Sequence, residues 1–198
     1  MTDGALHELR RQPPAIIAIG ASAGAVEALT ALLPPLPASL PAPMVVTVHV
    51  PDTRSSGLAP LLAPHSRLKM FDAEDKMPLA PGAVYFAPPG YHLLVERDGT
   101  AALSVDPPEH FSRPSIDVLF ESVARAYGLR ALGILLSGAN EDGAAGMACI
   151  RRLGGLTWVQ TPESASVPAM PEAALALAPH RVLTPPAMAE ALAAWDGM

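Results

Sequence analysis

Short apolar runs, each followed by a stretch with helical spacing, set the main limit on how this chain can fold. The runs cover residues 15–19, 44–49, 83–87, 131–137, 157–160 and 181–183. They are continuous and not alternating, as strands covered on both faces are. The spacing predicts helices over 26–33, 56–62, 116–127, 142–153, 171–177 and 186–194. Such alternation predicts an α/β fold of the doubly wound kind, a mostly parallel sheet flanked by helices and Rossmann-like in layout. One stretch departs from the pattern: 92–105 reads as strand, Asp98-Gly99 turn, strand. This β-hairpin excursion is expected to add an antiparallel edge or flap.

A chain of 198 residues, half of them hydrophobic, is one globular domain. The expected organisation is a short flexible leader over 1–13 and a single domain over 14–198. The 23 prolines fall mostly between the apolar runs, as at Pro34-Pro35 and Pro88-Pro89, and read as rigid turns. A net charge of -6, with Arg10-Arg11 and Arg151-Arg152 as the basic pairs, argues against nucleic acid as a partner. No apolar stretch approaches the ~20 residues of a membrane span, and residues 1–12 lack the apolar core of a signal peptide. Direct membrane insertion is therefore not expected, and the single Cys149 fits a reducing cytoplasm. The stretch from Gly20 to Ala25 fails the dinucleotide pattern, because Ser22 stands at its second glycine. His7, His65, His92, His110 and His180 show no metal-ligand spacing, so neither cofactor nor metal is expected.

The first run leads into Gly20-Ala21-Ser22-Ala23-Gly24. Strand, Gly-x-Ser-x-Gly and helix follow one another as in a nucleophile elbow, where small neighbours leave the serine Oγ exposed above a sheet. Backbone N–H groups at the start of the helix favour negative charge beside it. The same string also suits a tight turn with Ser22 as a helix N-cap.

Ligands of open α/β sheets gather at the carboxyl ends of the strands. Ser22 follows the first run and His49 closes the second. Asp142 follows the run that ends at Ser137, through Gly138-Ala139-Asn140-Glu141. These are the residue types of a nucleophile, a general base and an orienting carboxylate. The N–H of Ala23, or one within 138–140, is the candidate oxyanion donor. Taken singly, His49 also reads as a core histidine and Asp142 as the cap of the helix after it. The order Ser, His, Asp differs from the Ser, acid, His of the α/β-hydrolases. Ser115, after Pro114, reads as an N-cap, and Arg113 is a candidate for the cleft wall.

Over about residues 14–183 the chain resembles the catalytic domain of the chemotaxis protein-glutamate methylesterase family. The resemblance rests on Ile19-Gly20-Ala21-Ser22-Ala23-Gly24-Ala25, on His49 shortly before Pro51, and on Pro81-Gly82-Ala83-Val84-Tyr85-Phe86-Ala87-Pro88. It continues through Arg113-Pro114-Ser115-Ile116-Asp117-Val118-Leu119-Phe120, Ser137-Gly138-Ala139-Asn140-Glu141-Asp142-Gly143, Gln160 and Met170-Pro171-Glu172-Ala173-Ala174. It implies hydrolysis of glutamyl methyl esters on the cytoplasmic helices of methyl-accepting chemoreceptors or related sensors, with release of methanol. Deamidation of receptor glutamines often accompanies that activity. It also implies Ser22, His49 and Asp142 as the triad; Ala23, Ala139, Arg113 and Met170 are the candidates for oxyanion donor or cleft residue.

The chain departs from the family pattern at Ala23, Ala25, Val48, Val50, Ala139, Asn140 and Ala169. These changes bear on rate and specificity, and they feed an alternative: a methylesterase fold that binds a receptor without hydrolysis. The receiver domain that precedes this domain in the family is expected to be absent. A separate regulatory partner is the expected replacement.

Overall fold

The computed structural model describes residues 2–49 and 57–195. In chain order the elements are α1 (Thr2–Arg11), β1 (Ile16–Ala21), α2 (Ala25–Leu32), β2 (Met44–Val48), α3 (Leu58–Leu62), β3 (Lys69–Asp72) and β4 (Ala83–Phe86). There follow β5 (His92–Val95), β6 (Ala101–Ser104), α4 (Ile116–Tyr127), β7 (Ala131–Leu135), α5 (Ala144–Arg152), β8 (Leu156–Gln160), α6 (Ala169–Leu175), β9 (Arg181–Leu183) and α7 (Pro185–Ala193). The main sheet has seven strands in the order β3-β4-β2-β1-β7-β8-β9, all registered pairs parallel.

Alternate residues of each central strand enter different cores. From β1, Ile17, Ile19 and Ala21 pack with α1, α2 and α7, whereas Ile16 and Ala18 pack with α4 and α5. β2 divides likewise, Met44, Val46 and Val48 against Val45. Both faces are dry, which is why the strand sequences are continuously apolar. From central β1 the chain passes to β2, then to edge strand β3 and back to β4 between them, before it crosses to β7, β8 and β9. The winding reverses between β1 and β7, and the carboxyl end of that crevice is where such sheets hold ligands.

Strands β5 and β6 form a separate antiparallel pair, His92↔Ser104 to Val95↔Ala101. Leu93, Val95 and Ala101 join the core beneath α4, and residues 76–79 bond to the hairpin backbone at Gly99 and Ala101. The hairpin is thus a flap over one helix layer and not an added edge of the main sheet.

Three further differences from the sequence reading have physical causes. The expected flexible leader is instead helix α1, with Ala5 and Leu9 fully buried one turn apart. Glu8 pairs with Arg181 at 2.8 Å, and the Gln12 amide donates to the Leu129 and Gly154 carbonyls. β3 is an edge strand with mostly exposed side chains, so it carries no continuous apolar run. The helix expected from 142 starts at Ala144, because Gly143 takes the N-cap at φ 96°. Val50, Pro51 and Ser56, used in the sequence reading, lie outside the described residues. Among the described residues no helix is long and apolar enough to cross a membrane.

Candidate active site

Register sets the serine beside the histidine. The last pair between β1 and β2 is Ala21↔Val48, so Ser22 and His49 each lie one residue past it, on neighbouring strands about 4.8 Å apart. His49 N–H donates to the Ala21 carbonyl, and Ser22 N–H donates to the Ser137 carbonyl at 2.9 Å. The Ser22 hydroxyl makes no hydrogen bond among the described residues.

The turn after Ser22 differs from a strained elbow. Ser22 is absent from the non-glycine residues with positive φ; it is Gly24 that takes φ 83°, as N-cap of α2. A Cβ there would stand 2.6 Å from the Ser137 hydroxyl. That hydroxyl donates to the Ala23 carbonyl at 2.7 Å and accepts from Val167 N–H at 2.9 Å. Gln160 Oε1 accepts from Ser137 N–H at 2.9 Å, so a buried amide fixes the residue that fixes the elbow.

Asp142 is fully buried, and its carboxylate accepts from four donors. His49 Nε2 donates to Oδ2 at 2.7 Å, and so does Ile116 N–H at 2.8 Å. Oδ1 accepts from Asp117 N–H at 2.9 Å and from the Ser115 hydroxyl at 3.0 Å. Burial pushes this carboxyl upward, but the bonds from His49, Ile116 and Asp117 outweigh it and hold the group below the ordinary aspartate range. The sequence reading of Asp142 as a helix cap is thus half right: it caps α4, not the α5 that follows it. Ser115 has N-cap geometry yet makes no capping bond of its own, since its hydroxyl is turned to Asp142.

The cap is reciprocal. Asp117, in the first turn of α4, accepts from Gly146 N–H of α5 at 2.6 Å. His110 Nε2 donates to the other oxygen of Asp117 at 3.1 Å. Burial drives the Asp117 carboxyl up to about 6; the Asp142 charge adds to this, while the Gly146 N–H and His110 oppose it. His110, Asp117 and Asp142 offer ligand atoms within 4.8 Å of one another, the geometry a small cation needs. Every carboxylate oxygen in the group, however, already accepts a hydrogen bond.

Ala23 and Ala139 are both exposed, and neither N–H meets an acceptor among the described residues. Two other candidates do different work. Arg113 Nη1 donates to the Val105 and Asp106 carbonyls at 2.9 and 3.1 Å, so its guanidinium fastens the flap and does not line the cleft. Met170 is fully buried under Gly138, where a Cβ would meet its Cε at 2.4 Å; it is the floor of the acid loop, not a wall. Asn140 keeps an ordinary φ, and its Oδ1 accepts from Asp142 N–H at 3.3 Å. Sequence reasoning missed His110, Asp117 and Ser137 as parts of the site. An acidic residue in a helix's first turn was the available signal for Asp117.

Ile116 closes the arrangement from below. A Cβ at Gly20 would stand 2.2 Å from its Cγ2, and one at Gly143 would stand 2.8 Å away. Gly20→Ala is therefore expected to cost about 1–3 kcal/mol by overpacking, and to loosen the α4 terminus that holds Asp142. Ile116→Ala in the same chain should recover part of that loss. Chemical denaturation of the two single variants and the double checks it: strict additivity would refute the clash.

An open parallel sheet with a serine and an imidazole–carboxylate pair at the carboxyl ends of its central strands is the framework of an α/β ester hydrolase. A family model described as CheB methylesterase matches residues 17–192. A Leptospira interrogans relative, provisionally named a protein-glutamate methylesterase/protein-glutamine glutaminase, is 41% identical over 159 residues, covering 80% of this chain and 82% of its own. The protein-glutamate methylesterase FrzG of Myxococcus xanthus is 38% identical over 193 residues, covering 96% of this chain and 58% of its own length. The crystal structure of the Thermotoga maritima CheB methylesterase catalytic domain superposes with a TM-score of 0.87 at 30% identity, covering 90% of this chain and 97% of that one. The chain belongs to the CheB methylesterase family.

Proposed function

We propose that the protein hydrolyses methyl esters of glutamate side chains on the helices of chemoreceptor-type signalling proteins, and deamidates glutamines at the same site. In this reading Ser22 Oγ attacks the ester carbonyl while His49 takes its proton. Nε2 of His49 is committed to Asp142, so Nδ1 is the nitrogen left for this task. The imidazolium returns the proton to the departing methoxide, and methanol leaves a Ser22 acyl-enzyme. Water, deprotonated by the same nitrogen, then releases the glutamate and restores the serine. The N–H groups of Ala23 and Ala139 receive the oxyanion.

The observation that carries the reading is the short bond between His49 and a buried, four-fold bonded Asp142. A carboxylate so placed fixes one imidazole tautomer and stabilises the imidazolium. The test is methanol release from methylated chemoreceptor cytoplasmic fragments. The expected result is one methanol per ester lost, with turnover. A folded protein that releases none from several such fragments would refute it.

A further inference from the structure

The segment between β6 and α4 holds a side chain in solvent at a conformational cost. Glu109 and Ser112 exchange both backbone hydrogen bonds, at 3.1 and 2.8 Å, around a two-residue turn. Its central residues, His110 and Phe111, have φ 49° and 60°. Turns with positive φ at both centres favour Asn-Gly, and a bulky aromatic residue there is strained. Phe111 gains no packing in exchange, for it is 104% exposed.

That exposure is built and not slack. His110 anchors the turn on Asp117, Arg113 ties down Val105 and Asp106, and His92 Nε2 donates to the Pro107 carbonyl at 3.1 Å. Phe111 and His110 face Asn140 and Glu141 across a cleft of about 400 Å³. Asn140 and Glu141 are the residues directly before Asp142 and directly after Ala139. One wall of this cleft is therefore the acid loop of the site itself, and the other is the turn between β6 and α4.

We propose that Phe111 is the apolar anchor for the helix that presents the scissile glutamyl ester. The proposal rests on the function proposed above and adds how a helical substrate is held. The cleft adjoins the site through Asp142, which follows Glu141 and holds His49 at 2.7 Å, so it is the surface beside the triad open to a helix about 10–12 Å across. Its residues one turn from the ester, three or four positions away, lie about 5–6 Å along the same face. An apolar residue there covers the phenyl ring, whose strained backbone has already fixed its position.

The test compares Phe111→Ala and Phe111→Gly with wild type on two substrates. One is a methylated chemoreceptor cytoplasmic fragment; the other is p-nitrophenyl acetate, which has no helix to hold. For both variants the ratio of kcat/KM on the fragment to kcat/KM on the small ester is expected to fall about 5- to 30-fold, through KM. Glycine relieves the turn and alanine does not, so equal losses assign the effect to the missing ring. Equal losses on both substrates, or no loss on either, would overturn the anchor and leave the esterase standing. Nitrophenyl acetate hydrolysis without methanol release would overturn the substrate class, and the anchor with it. A change in sedimentation with the ratio intact would give the ring to a second copy of the chain, which also overturns the proposal.

Discussion

Ser22→Ala is expected to lower kcat for methanol release by about 10⁴-fold or more while leaving the folded protein as stable as wild type. The two halves have separate causes. Loss of the attacking oxygen removes the acyl-enzyme route, and what remains is the oxyanion donors and substrate binding. Stability is spared because the structural bonds of Ser22 belong to its backbone: N–H to the Ser137 carbonyl, carbonyl to Ala25 N–H. Alanine keeps both, and its φ need not be positive. The expected change in unfolding free energy is within about 0.5 kcal/mol. Initial rates and a denaturation curve on one preparation check both halves. Retained turnover would remove Ser22 from the role of nucleophile.

Much of the fold is legible in the sequence, for a reason that particular residues make plain. Strands β1, β2 and β7 are dry on both faces, so their sequences announce them. Ser22, His49 and Asp142 are legible as candidates because each follows such a strand, and sheet topology brings those strand ends to one edge. What could not be read depends on contacts between elements. α1 reads as a polar leader because Ala5, Leu6 and Leu9 stand among polar and charged residues, and only the approach of α7 gives them a core. β3 is hidden by its exposed edge. Arg113 and Met170 lie in the right motifs, but whether a side chain turns to the cleft or to the flap backbone is decided by packing. His110 reaches Asp117 through a turn whose positive φ values no residue preference announces.

The reciprocal caps between α4 and α5 lead to the second large effect. Asp142→Asn is expected to cost about 10⁴-fold in kcat and about 2–4 kcal/mol of stability, in contrast to Ser22→Ala. An amide has one acceptor oxygen in place of two, so it cannot serve His49, Ser115, Ile116 and Asp117 together. Its NH₂ group would face a donor already present. Whichever way the amide lies, a buried N–H of the α4 terminus or the imidazole is left without an acceptor. The pH dependence separates this from simple loss of shape. Asp142 has a folded pKa below its unfolded value of about 3.9, so its ionised form contributes stability above that pH and loses it as pH falls through the folded pKa. The gap between wild type and Asp142→Asn should therefore be wide near pH 7 and close under strong acid. Asp117 works in the opposite direction. Raised to about 6, it favours the fold most below pH 3.9 and loses that contribution as pH rises through 6. Removing the Asp142 charge lowers Asp117, so the variant should lose less stability than wild type between pH 4 and pH 6. Thermal unfolding of both proteins from about pH 1.5 to pH 8 measures the two slopes. A gap independent of pH across that range would mean that the charge of Asp142 does not hold the α4 terminus.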